Sequence, residues 1–223
     1  MGMLLLGAGG STVAVPAGMT IRQITPLVTG NTVDTSRTLV FPAPIDNTGM
    51  IVVCAAIGAE GSSGASDSDD IITGVTMTDV EAFVRAHGRP MSSGLYGTDV
   101  WYADITSGGE TDVVVAHLND VHCSMFAIEL TAEGTLATPV GSENYSDTSP
   151  STGAVSGIPA SNGIAILTVY NDPWGHPATP VFTAPAGYTK QVEYTTIDSV
   201  IPVFVVFTKL TTGSATETAE YTM

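Results

Sequence analysis

One β unit occurs twice in this chain, and that repetition restricts it to architectures built from paired strands. Residues 100–108 read Val-Trp-Tyr-Ala-Asp-Ile-Thr-Ser-Gly and residues 205–213 read Val-Val-Phe-Thr-Lys-Leu-Thr-Thr-Gly. Apolar, aromatic, small and turn positions match in order at a shift of 105 (205 − 100). Upstream, Asn47-Thr48-Gly49 leads into an apolar run, and Ser161-Asn162-Gly163 leads into another at a shift of 114 (163 − 49). Loop-length changes between two copies account for the drift. The recurring positions are strand centres and turn glycines, so the repeat reports scaffold. Candidate catalytic groups do not recur.

Helical periodicity is nearly absent. Thr, Val, Ile, Gly, Pro and Ser dominate, with frequent turn signals, and this is the pattern of an all-β chain. The expected fold is an antiparallel β-sandwich, jelly-roll-like, assembled from two similar strand units. Residues 50–56 form a near-continuous apolar run suited to a central strand. Residues 123–130 read as a strand with Cys123, Met125, Ala127 and Glu129 opposite Ser124, Phe126, Ile128 and Leu130. Residues 75–86 alternate, with Val80, Ala82 and Val84 on one face, and residues 99–105 and 111–118 read as a hairpin. The expected organisation is an N-terminal arm and first strand (1–34), then one sandwich domain (35–223). Within the domain, unit one spans 35–134, a Ser/Thr/Gly-rich linker 135–157, and unit two 158–223. Neither half offers enough strands to close its own core, which favours one sandwich made from both.

Charge narrows the partners. The 223 residues include 22 acidic and only 6 basic side chains, for a formal net charge of −16. Such a chain repels nucleic acid and anionic membranes. Its longest apolar stretches, 50–57 and 203–207, are strand-sized and fall short of a membrane-spanning helix. The start of the chain lacks the basic region and long apolar core of a signal peptide. Leu4, Leu5 and Leu6 there read as an apolar arm on a Gly hinge.

Chemistry-bearing groups are sparse. Asp67, Asp69 and Asp70 sit in an acidic Gly/Ser loop and are the candidate calcium ligands, although the order of an EF-hand loop is missing. His87, His117, His122 and His176 lack zinc spacing; His117 and His122 flank Asn119-Asp120 and are placed to face each other across a turn. Cys54 and Cys123 lie in strand-like contexts, as buried thiols or, if their strands are neighbours, as a bridge. No nucleophile elbow, P-loop or dinucleotide fingerprint occurs, so no catalytic residue and no cofactor is expected. Loop aromatics Trp174, Tyr145, Tyr96 and Tyr188 offer stacking surfaces for a sugar, or plugs for sandwich ends and subunit contacts.

Residues 182–189, Phe-Thr-Ala-Pro-Ala-Gly-Tyr-Thr, resemble the Pro-x-Gly-Trp/Tyr-Thr turn of many β-sandwich proteins of tailed bacteriophages. The strand entry 158–164 and the run Thr38-Leu39-Val40-Phe41-Pro42 before Asn47-Thr48-Gly49-Met50 are similar to the same family, as are the late hairpins at 101–109 and 207–214. The resemblance covers most of 35–223 and departs at Tyr188, where Trp is commoner, and in the acidic loop. It implies a non-enzymatic virion structural protein: a capsid decoration protein, head fibre or tail-associated protein. The expected partners are other virion proteins, the major capsid protein first, with a homo-oligomer and a host-surface glycan as further candidates. Leu4, Leu5, Leu6 and Trp174 are the candidate contact residues, the arm clipping onto a neighbouring subunit. The competing readings are a carbohydrate-binding adhesion module and a hydrolase with scattered loop residues.

Overall fold

The structure is a computed structural model that describes residues 2–7, 19–32, 34–59, 71–90, 96–118, 121–131, 135–136, 140–141, 155–156, 163–171, 182–194, 203–211 and 216–217. These are all-β and form antiparallel sheets packed face to face. The expected β-sandwich is present, and it has a third layer.

The middle sheet contains β2 (Ile21–Ile24), β3 (Val28–Thr32), β5 (Met50–Ala59), β7 (Val84–Pro90), β8 (Tyr96–Asp104) and β10 (Val121–Leu130). Its strand order is β2-β10-β5-β8-β7, with β3 also on β10. One face is covered by a three-stranded sheet of β4 (Ser36–Val40), β9 (Asp112–His117) and β6 (Ile72–Thr76), in the order β4-β9-β6. The other face is covered by a sheet containing β1 (Gly2–Gly7), β11 (Thr135–Leu136), β12 (Val140–Gly141), β14 (Gly163–Asn171), β15 (Thr189–Tyr194) and β16 (Val203–Thr211). That sheet runs β11-β1-β14-β16-β15, with β12 also on β1. A small ribbon pairs β13 (Val155–Ser156) with β17 (Thr216–Glu217).

The middle layer explains the unbroken apolar runs. A strand buried on one face alternates, whereas a strand covered on both faces does not. Ile51, Val53, Ala55 and Ile57 of β5 point into one core with Leu39, Val113 and Val115. Met50, Val52, Cys54 and Ala56 point into the other with Ile164, Ile166, Phe204 and Val206. Strand β10 is buried along its whole length, and its faces divide as the alternation predicts. Bulk is complementary across the β5–β10 ladder: Cys54 opposes Phe126, Ala55 opposes Met125, and Ile57 opposes Cys123. Phe126 then meets Phe204 across the sheets, with ring centroids 6.0 Å apart and planes tilted by 55°, a favoured aromatic geometry.

The buried residues of the first core lie between Leu39 and Ala127, with Val28 of β3 packed against them. Unit one therefore supplies all of that core's buried hydrophobic residues among those described, because the middle sheet serves two cores.

The repeat is structural, with its register moved by one residue. In unit one β5 pairs with β8 and β8 with β7; in unit two β14 pairs with β16 and β16 with β15. Met50 faces Asp104, and its counterpart Ile164 faces Leu210, a shift of 106 (210 − 104). Bulges agree: the edge strand is irregular opposite Trp101/Val100 in one copy and Phe207/Val206 in the other. A one-residue slip exchanges the faces of a strand. The 106 shift superposes Val100 on Val206, and both point into the same inter-sheet core. The 105 shift would have matched Val100 to a residue on the far face.

Two local expectations are corrected. β8 and β9 are no hairpin; they lie in different sheets, and the chain turns a corner through residues 105–111. Residues 75–86 are not one strand: β6 ends at Thr76, Asp79 takes a positive φ of 67°, and Val84 is 50% exposed at the start of β7. The family-like turn at 185–188 is tight, Tyr188 N–H donating to the Pro185 carbonyl at 3.0 Å with φ of +80° at Gly187. A type II turn requires positive φ at that third position.

Cys54 and Cys123 occupy neighbouring strands but opposite faces of the middle sheet, and both are free and buried. No bridge can join them without turning a strand over. Burial pushes both thiols up from their ordinary value, so the thiolate that reacts is scarce. Thiol titration of the native protein is expected to label neither cysteine, and titration after denaturation both. A mass two protons lower, with no reactive thiol after unfolding, would contradict the placement.

Candidate functional site

Three polar clusters interrupt the apolar layers. In the first, Glu129 stands fully buried near the end of β10. Its register partner is Gln23, and the β2–β10 ladder slips there so that Arg22 is the extra residue. A bulge re-aims a side chain, and Arg22 binds the Glu129 carboxylate through Nη1. Gln23 Nε2 donates to Glu129 Oε2 at 2.6 Å, and the Asp46 backbone N–H donates to Oε1 at 2.9 Å. Arg22 also donates to the Thr48 carbonyl at 3.1 Å and pairs with Asp46 at 3.2 Å. The Gln23 amide grips Ala43 at both its N–H and its carbonyl. The cluster fastens the segment 43–48 to the edge of the middle sheet.

In the second, Arg85 of β7 forks onto Asp99 of β8, Nε to Oδ1 at 2.5 Å and Nη2 to Oδ2 at 3.1 Å. The same guanidinium lies 5.9 Å from the Trp101 ring centroid. Bidentate pairing and cation–π contact together hold the bulged edge strand.

The third gathers His117, Cys123, Arg37 and Asp34 where the three-stranded sheet meets β10. His117 is 3% exposed. Its Nδ1 donates to the Leu118 carbonyl at 2.8 Å, and its Nε2 has no hydrogen-bond partner among the described residues. Cys123 donates to the Gly30 carbonyl at 3.6 Å and contacts Arg37. Burial holds the His117 pKa below its ordinary value; the Leu118 carbonyl opposes this, Arg37 reinforces it and Asp34 opposes it. Arg37 favours the Cys123 thiolate, but burial outweighs it and keeps the thiol above its ordinary value, unlike the partly open setting of a reactive cysteine.

A folded-state His117 pKa lowered from 6.5 means the unfolded chain binds the proton more tightly. The stability contributed is fully present above pH 6.5 and is lost as pH falls below it. Melting temperature against pH should fall more steeply in the native protein than in His117→Gln over this acid limb. Identical slopes would contradict it.

The residues singled out from sequence are only partly brought together. The backbone of Leu4, Leu5 and Leu6 forms β1, pairing with Ile166, Ala165 and Ile164. Within the chain the arm is thus a sheet strand, flanked on its other side by β11 and β12. Asp67, Asp69, Asp70, Tyr145, Trp174 and His176 lie outside the described residues. His117 ends a strand of the covering sheet and His122 belongs to the middle sheet, so they do not face each other across a hairpin. Tyr188 is buried, with the Lys209 ammonium 5.4 Å from its ring centroid, and is no open stacking surface. Among the described residues, no group of three or more His, Cys, Asp or Glu side chains is placed to hold a metal ion. No helix among them is long and apolar enough to cross a membrane. Sequence reasoning missed the roles of Arg22, Arg85 and Asp99. The one legible signal was Glu129, a lone acid inside a ten-residue strand.

No protein-family model, curated protein or solved structure matches this chain.

Proposed function

We propose that the chain is a non-enzymatic structural protein of a tailed-phage virion, a capsid decoration protein that binds the head surface by protein–protein contacts. The observation that carries this reading is how the charge is distributed. Of the 6 basic residues, Arg22 and Arg85 bind buried carboxylates, Lys190 pairs with Glu193, and Lys209 lies against Tyr188. These four cations are engaged within the fold, and the excess of 22 acidic over 6 basic residues leaves a formal net charge of −16. A charge of that sign and size keeps many copies soluble at high local density and favours a basic docking face on the partner. Three stacked sheets with edges fastened by ion pairs make a rigid module suited to a shell. The resemblance of the turn at 185–188 and of the paired strand entries to phage sandwich proteins supports the same reading.

The test is cosedimentation with heads assembled without this protein. Saturable binding that weakens with salt supports decoration. Heads left bare, with binding to purified tails instead, would move the protein to the tail.

A further inference from the structure

The two copies of the repeat differ in one respect: the source of the strand beside β5 and β14. In unit one, β5 is flanked by β8 and, on its other edge, by β10, which follows β8 in the chain. In unit two, β14 is flanked by β16. The next described strand, β17, pairs with β13 and not with β14. The place that β10 takes in unit one is filled in unit two by β1, from the other end of the sequence. Among the described residues, the strands that pair with β1 are β11, β12 and β14.

We propose that β1 is an exchangeable strand, and that the slot between β14 and β11/β12 accepts residues 2–7 of a second copy of this chain, giving strand-swapped oligomers. Among the described residues, the strand that fills this slot comes from outside unit two: β1 fits its register, with Gly2 opposite Thr168 and Leu6 opposite Ile164. Residues 8–18 connect β1 to the middle sheet and, when extended, reach on the order of 40 Å, enough to enter a neighbour. Contacts made in trans equal those made in cis. Protein concentration and the effective concentration set by the connector therefore decide between them. Copies held densely on a surface favour the swapped form. The proposal concerns the purified chain, so it succeeds or fails independently of head binding.

Leu5 faces Ala165 and Met3 faces Leu167, which gives a direct test. Full-length Leu5→Cys and Ala165→Cys proteins are mixed, unfolded and refolded together under reductant, then oxidised. The expected product is a covalent dimer with one copy of each, and much less dimer from either variant alone. The double variant Leu5→Cys/Ala165→Cys reports the cis pairing as an intrachain bridge. A mixture that stays monomeric while the double variant bridges would overturn the proposal, as would equal dimer yields from the single variants alone. Should that pair not bridge, Met3→Cys/Leu167→Cys is used in the same way. Failure of both double variants means β1 does not occupy the slot, and the proposal falls with it.

Discussion

Arg22→Ala is expected to lower the free energy of unfolding by about 3 kcal/mol, far more than loss of a surface ion pair. The asymmetry lies in the two ends of the bridge. The Arg22 side chain is 27% exposed, whereas Glu129 is 0% exposed. Removing the arginine leaves a carboxylate inside the protein with, among the described residues, Gln23 Nε2 and the Asp46 N–H to solvate it. Both donors are neutral and already engaged in the native protein, so neither takes the place of the lost cation. The segment 43–48 also loses the contacts of Arg22 with Thr48 and Asp46. Arg22→Met combined with Glu129→Leu is expected to recover much of the loss, because no charge then remains buried. Urea denaturation of the three proteins checks this. A cost below about 1 kcal/mol for Arg22→Ala would mean that the carboxylate is hydrated and the site is surface-like.

Phe126→Ala is expected to cost about 3–5 kcal/mol, the range for truncating a fully buried aromatic side chain. Phe126 fills the space left by Cys54 on the neighbouring strand and meets Phe204 of the facing sheet. Its removal opens a cavity that rigid sheets on both sides cannot close, and the cavity adds to the lost transfer energy. Val84→Ala, at a half-exposed edge position, should change stability by no more than about 0.5 kcal/mol. Denaturant midpoints for the two variants give the comparison. Equal, small effects would mean that the middle sheet has no second packed face at Phe126.

Much of the scaffold was legible because strand chemistry is local. The apolar runs at 50–56 and 123–130 and the alternating faces of β10 follow from side-chain type and turn residues. What was not legible depends on partners distant in sequence. Whether β8 and β9 form a hairpin or turn a corner between sheets is decided by β4 and β6, which claim both edges of β9. The one-residue register of the repeat is decided by which face of β16 meets the middle sheet, and a match of residue classes tolerates either register. Leu4, Leu5 and Leu6 looked like an arm because nothing nearby pairs with them; their partners lie beyond residue 134. Arg22 acquires its role from a bulge, a slip in pairing that leaves no mark in composition. Glu129 is an acid in an apolar strand, a mark the sequence carries, but its partners Gln23 and Asp46 are brought to it by the sheet and by the returning loop.

One sheet is enclosed between two others, and residue-resolved amide hydrogen exchange reads out that enclosure. If the account holds, the amides of β5 and β10 are the slowest in the molecule and open only on global unfolding, because water reaches them from neither face. The edge strands β4, β6 and β7 exchange faster, through local opening. Exchange of β10 as fast as that of β4 would mean that one face of the middle sheet lies open to water, and the three-layer account would be wrong.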